Sequence, residues 1–296
     1  MKSLKKDWPL YIMVIPGVLF LIIFRFIPLG ASVMAFQDYS LTRGVFGSEW
    51  AGLAHFKTVV SNPNILKILW NTAVIAFYNL IFLFPVAVIF ALLVNELKNG
   101  LFKRGVQTVS YLPYLFSWVI ISGLTIDLLA TRGLINNIRA LYDLKPLMFL
   151  QDERYFRGLI VLTGIWKDTG WNSIVILAAI AGISPDYYEA ALIDGATKGK
   201  QVRYITLPLL YPTLIILFLL RIGNFLDLSF DHIFNFLTPM TYNVGDVIAT
   251  YVYRVGILQG QFSLTTAVGL LQSVIGLILI TLCNKLSNRV SGEGLW

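Results

Sequence analysis

Five ionisable side chains stand where a bilayer-soluble segment should carry none: Arg25, Asp127, Lys167, Asp168 and Arg221 lie in, or at the ends of, long apolar runs. A charge at the centre of such a run costs about 2.5–3.5 kcal/mol on insertion scales, so it faces a cavity or a partner instead of lipid. Lys167 and Asp168 are sequence neighbours that point about 100° apart on a helix, so each calls for a partner on another helix. Nearby are the rings of Trp166, Trp171, Tyr78 and Phe225 and the amides of Asn172 and Asn224. Rings with a few polar groups can line a solute path. The plainer alternative is that ion pairs hold this chain to a partner subunit while the aromatics pack or face lipid, and for most of these residues taken singly it is the better reading. A self-contained secondary transporter would use Lys167, Asp168 and Arg221 differently, as proton or ion relay groups.

The second concentration of polar chemistry is "EAALIDGATKGKQVRYITLPLL", residues 189 to 210, between two apolar runs. Its "GATKGKQ" looks like a phosphate-binding loop and fails the test. Gly195 and Gly199 enclose three residues instead of four, Gln201 stands where a Ser or Thr would reach magnesium, and no buried strand precedes it. Any ATP used would bind to another chain.

The elements that carry these residues follow from composition. Of the 296 residues 57% are apolar and only 13% charged, which marks an integral membrane protein. The net charge of +7 does not point to nucleic acid, because the bases are scattered between apolar runs and form no patch. One cysteine, Cys283, excludes an intrachain disulfide and a cysteine-cluster metal site, and His55 and His232 are far apart in sequence, so no metal is expected. The N-terminal bases followed by an apolar run read as a retained signal anchor, since no small-x-small cleavage pattern follows.

A bilayer core of about 30 Å needs roughly 20 helical residues, and six runs qualify: 10 to 36, 69 to 96, 106 to 130, 158 to 182, 208 to 227 and 262 to 284. Continuous apolar runs favour helices over a barrel, and Pro16, Pro28, Pro85 and Pro113 are tolerated as kinks. The expected fold class is all-α, a single polytopic domain of 1-296. The short connections and tails on one side hold eleven Lys/Arg, against nine in the longer connections, where acids balance them. Both termini and residues 184 to 207 are therefore expected to be cytoplasmic. Trp8, Trp50 and Trp296 fall near the expected interfaces. The outer loops, near 38 to 68, 131 to 157 and 228 to 261, are long enough for short helices and a docking surface.

Within residues 184 to 207, Ser184 is a candidate N-cap, Pro185 takes the first helical position, Asp186 the first turn, and Asp194-Gly195 ends a short helix. "ATKGKQVRYIT" can form a second helical piece, and Pro208 is expected to open the fifth span. Ala190 and Ala191 permit close approach to another surface, with the Glu189 charge beside them. An ordinary capped, solvated loop accounts for the local pattern equally well.

Glu189-Ala190-Ala191, Asp194-Gly195-Ala196 and Ile205-x-Leu207-Pro208, with matched spacing, resemble the EAA motif of membrane permease subunits of binding-protein-dependent ABC importers. "FRFIPLGASVMAFQDYSLTRGVFGSEWAGLAHF" and "GIWKDTGWNSIVILAAIAGISPDYYEAALIDGA" look like the oligosaccharide and polysaccharide importer permeases of the maltose-transporter-like group. The resemblance covers nearly the whole chain. It implies the type I ABC importer permease fold and a coupling helix that enters a cleft on an ATPase subunit, with Glu189, Ala190, Ala191, Asp194, Gly195 and Pro208 as its motif residues. It further implies a second, similar but distinct permease in a heterodimer, two ATP-binding subunits carrying ATP and magnesium, and an extracytoplasmic solute-binding protein. On this resemblance the rings above would meet sugar faces, and Asn172 and Asn224 would meet sugar hydroxyls. Gly199 departs from the aromatic residue that many sugar permeases carry there. A polyol or glycerol phosphate ester is the alternative cargo.

Overall fold

The computed structural model describes residues 8–292 and 294. The basic segment 1–7 and Trp296, used above for orientation and interface position, lie outside the described residues. The chain divides into two compact units, one of residues up to Leu66 with Tyr251–Gln272, the other of Lys67–Thr250 with the segment from Ser273 onward.

In the first unit, α1 (Trp8–Leu21) continues through a π turn (Ile22–Phe26), Ile27–Gly30 and a 3-10 segment (Ala31–Phe36). The π turn has a sequence cause. Pro28 has no N–H for the carbonyl four residues back, and widening the preceding turn redistributes the bonds, with the Ile27 N–H reaching the Ile22 carbonyl. Arg25 lies in this turn and is exposed. Two short strands, β1 (Gln37–Asp38) and β2 (Glu49–Trp50), pair antiparallel, a small departure from an all-helical chain. The His55 ring reaches the Asp38 carboxylate at 3.0 Å, and the Tyr39 N–H donates to Ser263 Oγ at 2.9 Å.

The second unit carries most of the helices: α2 (Pro63–Glu96, from Lys67 onward), α3 (Leu101–Leu115), α4 (Trp118–Leu129), α5 (Glu153–Ala181), α6 (Pro185–Ile193), α7 (Leu207–Gly223), α8 (Phe230–Phe236) and the later part of α9 (Phe262–Ser291). By length and composition, five helical stretches among the described residues can cross a bilayer, and a sixth when α5 is counted with α6 across a 70° bend.

Two sequence expectations need correction. The run 106 to 130 is not one helix, because the chain leaves helical geometry at Phe116 and Ser117, and Ser117 caps α4 by accepting the Ile120 N–H. Hydropathy is continuous across this break, so only Pro113 and the Ser117 cap mark it. Pro208 does not open its helix either. Helical structure already begins at Lys198, and a π turn at Val202–Thr206 leads into α7, with the Leu207 N–H reaching the Val202 carbonyl just before the proline.

Two apolar clusters hold this unit, successive along α2 and α5. Ile75, Phe156, Ile160, Ile233 and Phe236 form one, and Ala87, Ala91, Ile176, Ile180 and Leu210 the other. Residues 241–250 are clamped onto the first. Asn71 Nδ2 donates to the Asn243 and Asp246 carbonyls, Arg157 donates to Asn71 Oδ1, and the Ile248 N–H donates to Thr72 Oγ1. Gly245 lies so near the Phe156 ring that a Cβ there would come within 2.4 Å of it.

Candidate functional site

The break between α3 and α4 creates a chemical problem that Lys167 solves. A helix C-terminus leaves carbonyls without intrahelical donors, and their dipoles add to a negative end. The Lys167 ammonium donates to the carbonyls of Tyr114 at 2.8 Å, Phe116 at 2.6 Å and Pro113 at 3.3 Å. It also sits 5.2 Å from the Tyr114 ring centroid and 5.3 Å from that of Trp118. Trp171 stacks on Tyr114 at 4.4 Å, and Trp118 stacks on the His232 ring at 3.5 Å. His232 in turn shares a 2.8 Å hydrogen bond with Thr163. Lys167 is 6% exposed, so its charge is committed to this joint and does not line the main cavity.

That arrangement carries a prediction. Lys167→Met removes three charge-assisted bonds and strands buried carbonyls, so it should destabilise the chain by about 1.5–3 kcal/mol. A lowered thermal midpoint of the purified protein in detergent would register the loss; an unchanged midpoint would show that water replaces the ammonium.

A cavity of about 410 Å³ opens elsewhere, between faces of α2 and α7. Leu217, Leu220, Arg221 and Asn224 recur at helical spacing along α7, and Ala76, Asn79, Leu80 and Phe84 do so along α2. Phe225, Asp227 and Leu228 complete the lining. A smaller adjoining pocket of about 50 Å³ is shared by Arg221 with Asn172, Phe84 and Ile176. Asn224 donates to the Leu220 carbonyl at 3.2 Å. Asn79 has a buried Oδ1 without a hydrogen-bond partner, although it lines the cavity.

The structure thus brings Arg221 and Asn224 together on one cavity and Asn172 onto its neighbour. It does not bring the other candidates there. Trp166 is exposed on α5, Trp171 belongs to the joint, and Tyr78 packs edge-on against Phe82. Asp168 is half-buried and lies within electrostatic range of both Lys167 and Arg221. Asp127 is outside the cavity lining. Asn79 is absent from the candidates drawn from sequence, although a lone amide inside the apolar run "AFYNLIFLF" is a signal of the same kind as Asn172.

The polar loop builds a different surface. Ser184 Oγ accepts the Asp186 N–H at 3.3 Å, with Pro185 at the first helical position of α6. At the other end the Gly195 N–H donates to the Leu192 carbonyl and the Ala196 N–H to the Ala191 carbonyl, a Schellman closure that requires the left-handed φ of +70° at Gly195. Tyr188 anchors one face through a 3.0 Å hydrogen bond to Thr206, and Lys198 pairs with Glu96 at 3.6 Å. Asp186, Glu189, Ala190 and Ile193, spaced as one helical face, are exposed. Asp194 is the C-cap, and Pro208 lies beyond the π turn.

Residues 77–292 match the family model described as the inner membrane component of binding-protein-dependent transport systems. The chain is 41% identical to the polygalacturonan/rhamnogalacturonan transport system permease protein YteP of Bacillus subtilis, covering 97% of this chain and 90% of that protein. It is 40% identical to protein LplB of the same organism, covering 100% and 93%. A chain from the crystal structure of a bacterial ABC transporter involved in import of the acidic polysaccharide alginate superposes with a TM-score of 0.91 at 34% identity, over 98% of both chains. A second structure of that transporter, in complex with alginate pentasaccharide-bound periplasmic protein, superposes with the same TM-score of 0.91 over 99% of both. The helical architecture, the capped polar loop and these likenesses agree: this chain is a multi-pass member of the family of inner membrane components of binding-protein-dependent transport systems.

Proposed function

We propose that this chain is one of two permease subunits of an ATP-driven importer of oligosaccharides or polysaccharide fragments. In this reading both termini and residues 184 to 207 are cytoplasmic. A second, distinct permease completes the path, two ATPase subunits bind ATP and magnesium, and an extracytoplasmic binding protein delivers the saccharide. This chain itself binds no cofactor. The single observation that carries the reading is the near full-length likeness to importers of acidic and pectic polysaccharides.

Each surface then has a role. The exposed face of α6, with Glu189 and Ala190, enters the ATPase, while Ala191, Asp194 and Gly195 shape the helix end. The following π turn and Pro208 carry the motion into α7, where Arg221 and Asn224 meet cargo. Asn172 lines the adjoining pocket. Lys167 and Trp171 hold the α3–α4 joint, and Trp166, Tyr78 and Asp168 flank these parts.

The test is the composition and ATPase response of the purified native assembly. Two ATPase subunits and a second permease should co-purify, and hydrolysis should rise with saccharide-loaded binding protein. Stimulation by non-carbohydrate ligands alone would overturn the cargo class.

A further inference from the structure

The α2–α7 cavity is lined by a cation, Arg221, whose interaction with Asp168 is electrostatic and not a direct bond. Arg221 forms no ion pair and no hydrogen bond among the described residues, although Asp227 lines the same cavity and Asp168 lies within electrostatic range. The contrast with Lys167 is direct, since that ammonium is saturated by three carbonyls. An arginine within an apolar helix costs about 2.5–3.5 kcal/mol on insertion scales, which an asparagine serving neutral hydroxyls would largely avoid. The guanidinium fork is shaped for two parallel bonds to a carboxylate.

We propose that Arg221 receives the carboxylate of an acidic saccharide and selects uronate-bearing cargo over neutral chains of equal length; the proposal rests on the import reading above. The remaining groups of the lining suit such a ligand. Asn224, exposed in the same lining, offers its amide to a sugar hydroxyl. Asp227, in the same lining, accepts hydroxyls too. Phe84 and Phe225 supply apolar faces for the ring, and the volume of about 410 Å³ lies within the range of small-molecule sites.

The test compares uptake of trigalacturonate with that of its carboxyl-reduced, neutral trisaccharide in the complete transporter with its binding protein. Each is measured for the native chain and for Arg221→Gln, and the ratio of variant to native divides out the selectivity of the binding protein. Co-purification of all subunits and an unchanged thermal midpoint establish that the variant assembles. The expected result is a fall of about tenfold or more for trigalacturonate with less than about a twofold change for the neutral sugar, as loss of charge-assisted bonds requires. Arg221→Lys should restore part of the acidic uptake. Equal losses for both sugars would assign Arg221 to pairing with the second permease and overturn the proposal. Native uptake of the neutral sugar but not the acidic one would overturn it while leaving saccharide import intact. Native uptake of neither would overturn the uronate assignment, while the ATPase response to a saccharide-loaded binding protein separately tests the import reading.

Discussion

Gly170→Ala is expected to unfasten α3 from α5, with a loss of at least about 2 kcal/mol in stability and a steep fall in the amount of folded protein recovered. The reason is where the new methyl group would lie. A Cβ at Gly170 would come within 2.1 Å of the Ser110 carbonyl oxygen and 2.5 Å of its carbon. Those are backbone atoms of a helix, so no rotamer change relieves the clash. The α3–α5 pair is the most extensively packed among the described residues, and within α5 the buried Ser173 hydroxyl donates to the Gly170 carbonyl. Small residues where helix backbones touch are a general means of association inside membranes. The same crossing holds Lys167 beneath the α3–α4 break, so the variant should also lose the carbonyl bonds of that ammonium. Thermal unfolding of detergent-purified protein reads the effect. Gly158→Ala, on the same helix with nothing within 4 Å of its would-be Cβ, is the control and should behave as the native chain does. A tolerated Gly170→Ala would show that α3 can move outward without cost.

Glu189→Lys is expected to leave the fold intact and to lower ATP-driven uptake by at least about tenfold, because opposing like charges across a docked surface cost several kcal/mol. Glu189 is exposed on α6. The helix is held by the Ser184 cap, the Tyr188–Thr206 bond and the Schellman closure at Gly195, none of which involves Glu189. Chain stability should therefore change by less than about 0.5 kcal/mol. A normal thermal midpoint together with lost ATPase association is the expected pair of results. Intact association and uptake would show that α6 does not couple to the ATPase.

Features with a local cause are legible in the amino-acid sequence, and features with a distant one are not. The ends of α6 are legible because a serine cap, a proline at the first position and a glycine at the left-handed position act within a few residues. The apolar runs are legible for the same reason. The break at Phe116 and Ser117 is not, since hydropathy runs straight through it and the bonds that stabilise it come from Lys167, some fifty residues on. That long-range bond also explains why Lys167 resembles a cavity residue in sequence: charge in an apolar run shows that a partner exists without showing which. Arg221 and Asn224 share a helical face, so their meeting at one cavity follows from spacing, whereas Asn79 joins them only through the packing of α2. Pro208 looks like a helix start because a proline lacks an N–H; the π turn before it is the other way to meet that lack.

On the proposed function, this chain imports saccharide only as part of an ATP-driven assembly. The most direct test is uptake of labelled trigalacturonate into liposomes reconstituted with the complete transporter. The predicted result is accumulation that needs ATP on the ATPase side and binding protein on the other, and that stops when either is withheld. Uptake by this chain alone, driven by an ion gradient without ATP or binding protein, would contradict it.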